Sequence, residues 1–235
     1  MNNKYDTVIL IPFRDRDTHL SHFIKNSWSL IKLYMPNSKL VVIHQEEGKL
    51  FNRGKLLNIG IKEYLDKTKY FIFHDVDLNP NSNTIKKYYK LTGPTKQIIG
   101  IYNAPLKICT LGGIIKIHNN CIKDINGFSN DLWGWGVEDR ILYNRVIFFK
   151  KDIKWNLFTD NPDINKYFIT FNNINDRKFS EQYMNISKYE YLEFQNETTE
   201  KQYEHIMSSG LNNLQYTILS RMDMDTDVEV ITVSI

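Results

Sequence analysis

Two carboxylates, Glu138 and Asp139, follow directly on paired tryptophans and glycines in NDLWGWGVEDR, residues 130–140. Tryptophan faces stack on the apolar faces of sugar rings, and glycine lets a ligand come close to the main chain. A carboxylate beside such a platform can take a proton from a sugar hydroxyl, as a general base does in glycosyl transfer. Trp133, Trp135 and Gly136 are therefore candidate sugar-site residues, with Glu138 and Asp139 as the acid–base groups. Burial and neighbouring charge decide which of the two holds the proton. The stretch also suits a core tryptophan pair leading into a helix with acidic first-turn residues, since EDRILYNRVIFF reads as a helix from Glu138. The two readings are compatible.

A second acidic pair, Asp75 and Asp77 in HDVDL, closes an apolar run. Extended i, i+2 spacing puts both side chains on one face, where they repel unless a cation sits between or beside them. Mn2+ or Mg2+ would supply that charge and would also accept a diphosphate. The short D-x-D pattern equally suits a solvated turn at a strand end. Arg14 and Arg16 lie just past the first candidate strand and Arg53 just past the second, where they would converge on a nucleotide phosphate or base edge. Singly, each reads as a surface arginine.

The elements that must position these groups alternate. TVILIPF reads as a buried strand. THLSHFIKNSWSLIKLYM follows as a helix with Thr18 as its cap and Pro36 as its stop, and Leu20, Phe23, Ile24, Leu30, Ile31 and Tyr34 recur at helical spacing. KLVVIHQ is a second strand. NRGKLLNIGIKEYLD is a second helix with Leu56, Leu57, Ile59, Ile61 and Leu65 inward, and YFIFHDVDLNP is a third strand. This order predicts an α/β fold with a mostly parallel, Rossmann-like central sheet, helices on both faces, and a ligand site beyond the strands' carboxyl ends. GIYNAPLKICTLGGIIKIH reads as a strand pair around a Gly-Gly turn, and VEVITVSI as a late strand. The stretch from about 160 to 205 is polar and shows no clear period.

The chain has 235 residues, with 30 basic and 27 acidic, so the balance of +3 argues against a nucleic-acid partner. One domain over 1–235 is expected, with a nucleotide-binding half in 1–100 and an acceptor-binding half in 101–235. Cys109 and Cys121 have no metal-ligand spacing and read as free, buried thiols. No apolar run is long enough to span a membrane and no signal peptide opens the chain, so a cytoplasmic protein is expected, in a host's cytoplasm if the source is viral.

IPFRDR, FNRGKLLNIG, HDVDL, Gly112-Gly113, INGFSNDLWGWGVEDR and SGLNNLQYTIL stand in the order and rough spacing of the β-1,4-galactosyltransferase family, which this chain resembles from Val8 to its final strand. The resemblance implies a glycosyltransferase-A fold and an inverting, metal-dependent transfer of galactose or N-acetylgalactosamine from a UDP-sugar to a glycan hydroxyl with a β linkage. By motif, Pro12, Phe13, Arg14, Arg16, Phe51 and Arg53 would contact UDP, with Asp75 and Val76 against the nucleotide and Asp77 on the metal. Trp135 would lie at the donor phosphate and acceptor sugar. Glu138 would hold the donor sugar and Asp139 would be the base. Thr110, Gly112, Gly113, Trp133, Gly136 and Val137 would line the substrate. The alternative is a weakly active or inactive UDP-sugar-binding protein of the same fold.

This chain departs from the family pattern at four places. The family's metal-ligating histidine has no counterpart in FITF, residues 168–171, which implies either weaker metal affinity or a shell completed by another side chain such as Asp160, Asp163 or Asp176. Thr110 replaces a tyrosine, making room for an N-acetyl group on the donor. GVED replaces GGED, so Val137 crowds the acceptor side and Arg140 replaces an acidic neighbour, which opens glucose or xylose as acceptors beside N-acetylglucosamine. The stem and membrane span of Golgi members have no counterpart in the sequence, which implies a cytosolic enzyme or an excised catalytic domain.

Overall fold

The structure is a computed structural model that describes residues 4–103, 109–134, 136–158, 160–169, 194 and 196–235. Trp135, Thr170, Phe171 and Asp176 lie outside the described residues.

Strand β1 (Tyr5–Phe13) is followed by α1, an α-helix over Asp17–His22 and again over Ser29–Tyr34 with a π-helical turn at Phe23–Trp28 between. Next come β2 (Ser38–Gln45), α2 (Arg53–Tyr64) and β3 (Thr68–His74). Helix α3 starts at Ser82–Thr84 and becomes π-helical over Ile85–Tyr89. Then follow β4 (Gln97–Asn103), β5 (Ile114–His118), α4 (Asn119–Asp124), α5 (Glu138–Phe148) and β6 (Asp152–Phe158). Helix α6 (Thr199–Ser208) and the hairpin β7 (Thr217–Asp225) and β8 (Val228–Ser234) complete the chain.

The strands form one sheet in the order β6-β4-β5-β3-β1-β2-β8-β7. Four of its seven pairings are parallel; only β5 and β7 run against their neighbours. Alternation along each strand sends side chains to opposite faces. In β1, Val8 and Leu10 join a core with Leu56, Leu57, Ile59 and Ile61 of α2 and with Leu142 and Val146 of α5. Ile9 and Ile11 point the other way, to Phe23, Trp28 and Ile31 of α1 and Ile85 and Tyr89 of α3. Both faces are therefore helix-covered, as the near-continuous apolar strands require.

Three local expectations change. Helix α1 begins at Asp17 with Arg16 in the cap position and no side-chain cap bond, so Thr18 is not the cap. Cys121 is buried as expected, but Cys109 is exposed. The third strand ends at His74. Asp75, Val76 and Asp77 leave it in a turn closed by the Leu78 amide donating to the Asp75 carbonyl at 3.2 Å, so the two aspartates do not share a pleated face. No helix among the described residues is long and apolar enough to cross a membrane.

Candidate active site

The parallel strands β1, β2 and β3 deliver their carboxyl ends to one edge of the sheet. Phe13, the last residue of β1, is buried and meets His44 of β2 edge-on at 5.5 Å. Pro12 is buried, and Arg16 is half-buried where α1 starts. Arg14 turns across the loop after β2, donating to the Lys49 carbonyl at 2.6 Å with its guanidinium 5.5 Å from the Phe51 ring. The Phe51 carbonyl in turn accepts from the Gly134 amide at 2.8 Å, which ties the tryptophan loop to the β2 loop.

Arg53 opens α2, and its side chain joins the two acidic segments. Its Nε and Nη2 donate to Asp75 Oδ1 at 3.0 and 2.8 Å, and its Nη1 lies 3.6 Å from Glu138 Oε1. Burial disfavours the guanidinium charge, but Asp75, Glu138 and Asp139 outweigh it and raise the pKa. Burial also pushes the Glu138 carboxyl up to about 7, with Asp139 adding to the rise and Arg53 opposing it. The side chains of Arg53 and Glu138 are each only 14% exposed, so both charges sit in a site that binding would dry further.

The Gly-Gly segment completes this centre. The register pairs His74 of β3 with Ile114 of β5, so Gly112 and Gly113 fall beside the acidic turn. The Leu111 amide donates to the Asp139 carbonyl at 3.1 Å, and a Cβ on Gly112 would lie 2.6 Å from Asp139 Oδ2. Gly113 has φ +70°, in the region that favours glycine. Thr110 is buried, and its hydroxyl has no hydrogen-bond partner among the described residues. Trp133 is half-buried with Lys49 and Lys55 Nζ 5.8 and 5.9 Å from its ring.

Asparagines hold the tryptophan loop, and these the sequence reading passed over. Asn52 caps α2 through the Lys55 amide and donates to the Asn130 carbonyl at 2.7 Å. Asn58 Nδ2 donates to the Phe128 carbonyl and to Asn130 Oδ1, both at 2.8 Å, while its Oδ1 accepts from the Phe128 amide at 2.9 Å. A Cβ on Gly54 would meet the Ser129 carbonyl at 2.8 Å, so glycine there lets the loop lie against α2. From below, buried Arg145 of α5 donates to the carbonyls of Asn126, Gly127 and Ser209. Ser209 and Gly210 then bond the Asn130 amide and side chain. The signal lay in FNRGKLLN, which puts a polar Asn58 among inward apolar residues, and in SGLNN, whose role is to brace this loop.

Val137 caps α5 with φ +74°, a left-handed conformation that is strained for a β-branched residue. The valine of GVED therefore stores strain where glycine would store none.

For the metal, Asp77 is half-buried in the turn, and Asp75 is engaged by Arg53. The segment holding Phe168 runs antiparallel beside Pro80, with the Ile169 amide donating to the Asn79 carbonyl at 2.7 Å. Phe168 packs on Tyr102 at 4.6 Å. Asp163 pairs with Lys166 at 2.7 Å, both exposed, and Asp160 is exposed. Among the described residues no three His, Cys, Asp or Glu gather as a metal cage. A single carboxylate fits a hard divalent ion held largely by substrate phosphates, which is how Mg2+-type ions are bound in phosphoryl sites.

Two family models match most of the chain: the N-terminal region of glycosyl transferase group 7 over residues 2–90, and the N-terminal domain of galactosyltransferase over residues 99–169. Human β-1,4-galactosyltransferase 4 is 35% identical over 69% of this chain and 47% of its own length. The chain thus spans about half the length of that relative. Drosophila melanogaster β-1,4-galactosyltransferase 7 is 30% identical over 96% of the chain and 67% of its own length. The crystal structure of the Drosophila catalytic domain with xylobiose superposes with a TM-score of 0.75 at 25% identity, covering 98% of this chain and 94% of that one. A mutant of the same enzyme holds manganese, UDP-Gal and xylobiose, and superposes with a TM-score of 0.72. The sheet therefore has the glycosyltransferase-A architecture, and the chain belongs to the β-1,4-galactosyltransferase family.

Proposed function

We propose that this chain is a metal-dependent, inverting glycosyltransferase that moves galactose from UDP-galactose to a sugar hydroxyl. The observation that carries the reading is Arg53, which links the carboxylate after β3 to the carboxylate at the head of α5. One cation thereby brings the nucleotide turn and the sugar loop into a single site. The relatives' donor and metal, UDP-Gal and manganese, suit a site of this charge.

Arg14, Phe51 and Arg53 would hold the UDP, with Asp75, Val76, Pro12, Phe13 and Arg16 at its edge. Asp77 would hold Mn2+ or Mg2+, which when bound offsets charge developing on the leaving diphosphate. Glu138 would accept hydroxyl hydrogen bonds of the donor sugar. Asp139, exposed enough to meet a ligand and set beside Gly112, would take the proton of the acceptor hydroxyl as that oxygen attacks the anomeric carbon. Trp133 and Trp135 would supply the sugar platform, and Gly112, Gly113 and Gly136 the close backbone approach. Positioning both substrates in line supplies much of the remaining rate.

Two finer readings follow. The small, unpartnered Thr110 hydroxyl leaves room and a hydrogen bond for an N-acetyl group, so UDP-GalNAc joins UDP-galactose as a donor. Xylose- or glucose-type acceptors suit the site of Val137. We also place the protein in the cytoplasm, with no nucleic-acid partner. The test is UDP release from UDP-Gal, UDP-GalNAc and UDP-Glc with xyloside, glucoside and N-acetylglucosaminide acceptors, each with Mn2+, with Mg2+ and with chelator. Metal-dependent release with at least one pair is expected. UDP binding without release in every combination would favour an inactive sugar-nucleotide binder, the reading suggested by Phe168 in place of a histidine.

A further inference from the structure

We propose that His74 is a positioning residue for the metal carboxylate, acting through the main chain of Asp75; this rests on Asp77 being the protein's metal ligand. His74 ends β3 and is fully buried. Its Nδ1 lies 2.7 Å from the Asp75 carbonyl and its Nε2 2.7 Å from the Tyr89 hydroxyl. A carbonyl only accepts, so the ring carries its hydrogen on Nδ1 and takes the Tyr89 O–H at Nε2. The same Asp75 carbonyl accepts the Leu78 amide that closes the turn around Val76 and Asp77. The imidazole thus anchors the one carbonyl on which that turn closes.

Two aromatic neighbours also hold the ring. The Phe23 edge meets it at 4.8 Å, and Tyr89 is fully buried with its carbonyl accepting from buried Lys116 at 2.7 Å. Phe23 opens the π-helical turn of α1, and Tyr89 closes the π-helical turn of α3. Two helical irregularities, a type of feature frequent at functional sites, therefore converge on one histidine. Asp75 is held twice over, by Arg53 at its side chain and by His74 at its carbonyl, and Asp77 takes its place from that frame.

His74→Asn and His74→Gln separate this role from simple packing. Asparagine sets an amide donor where Nδ1 lies; glutamine reaches Tyr89 but offers the Asp75 carbonyl no donor. Calorimetry of UDP with Mn2+, and of UDP with chelator, reads the effect. His74→Gln should weaken Mn2+-dependent UDP binding about tenfold, and His74→Asn by no more than about threefold, with a smaller loss of metal-free UDP binding than of Mn2+-dependent binding in His74→Gln. In 15N spectra of the unmodified protein, the histidine signal lost on substitution should report an Nδ1–H ring. Tyr89→Phe, which keeps the buried ring, should weaken Mn2+-dependent binding by an intermediate amount and serves if the His74 variants do not fold. Equal affinities for Gln and Asn, unchanged affinity in Tyr89→Phe, or an Nε2–H ring overturns the proposal while leaving the functional reading intact. No Mn2+-dependent UDP binding by the unmodified chain overturns both.

Discussion

The turn bearing Asp75 and Asp77 leaves a strand paired on both sides, by β1 and β5, whereas the loop bearing Trp133 and Gly136 connects two helices, α4 and α5. The turn needs few fastenings, because the sheet already fixes where it begins. The loop's backbone groups have no ladder to join, so side chains from α2, α5 and the segment after α6 satisfy them instead. The contrast separates a site wall placed by regular structure from one placed by a buried polar network. Mutations in the second should act first on stability, and mutations in the first on binding.

The largest stability effect should come from Arg145→Met. It strips a donor from three buried carbonyls, so unfolding free energy should fall by about 3–5 kcal/mol and Tm by roughly 10 °C. Thermal denaturation checks it, and a change under 1 kcal/mol would mean that the loop is held by other means. Arg53→Met sits at the junction of the two regions. It should lower kcat/KM about a hundredfold by letting the two carboxylates drift apart, with a smaller loss of stability than Arg145→Met. An equal fall in stability would erase the distinction drawn here.

Part of each region was legible in the sequence. Apolar runs ending in RDR, HQEE and HDVD marked the strand ends and so the ligand edge, because buried parallel strands leave an unbroken hydrophobic record. The pleated geometry assumed for Asp75 and Asp77 failed, since β3 stops at His74 and the register with β5 ends there too. Strands β6 and β7 and helix α6 went unread. β7 is exposed along nearly its whole length, and α6 buries only Ile206, so neither carries the dense buried apolar run by which the other elements were read. The tryptophan loop was recognisable as a motif, but its supports were not. Arg145 and Ser209 reach it across 64 residues from each other, and that kind of closure leaves no local pattern.

Smaller effects sharpen the comparison within the loop. Glu138 has a raised folded pKa, so its contribution favours the fold below its ordinary value of 4.5 and is lost as pH rises through about 7. Glu138→Gln removes that slope. Denaturation at pH 5 and 8 should show the unmodified protein losing on the order of 2 kcal/mol more than the variant over this window. Parallel losses would mean that Glu138 is not held in a dry site. Val137→Gly should relieve the left-handed strain and raise stability by about 1 kcal/mol, near 3 °C in Tm, and a fall instead would show that the valine side chain packs usefully.

In the proposed mechanism Asp139 acts on the acceptor while the β3 turn holds the nucleotide and metal. It is tested most directly by single-turnover transfer from UDP-galactose to a xyloside with Mn2+, comparing the unmodified chain with Asp139→Asn. The variant should lose at least about a hundredfold in rate while binding Mn2+ and UDP unchanged. Transfer at the unmodified rate, or an equal loss of UDP affinity, would contradict it.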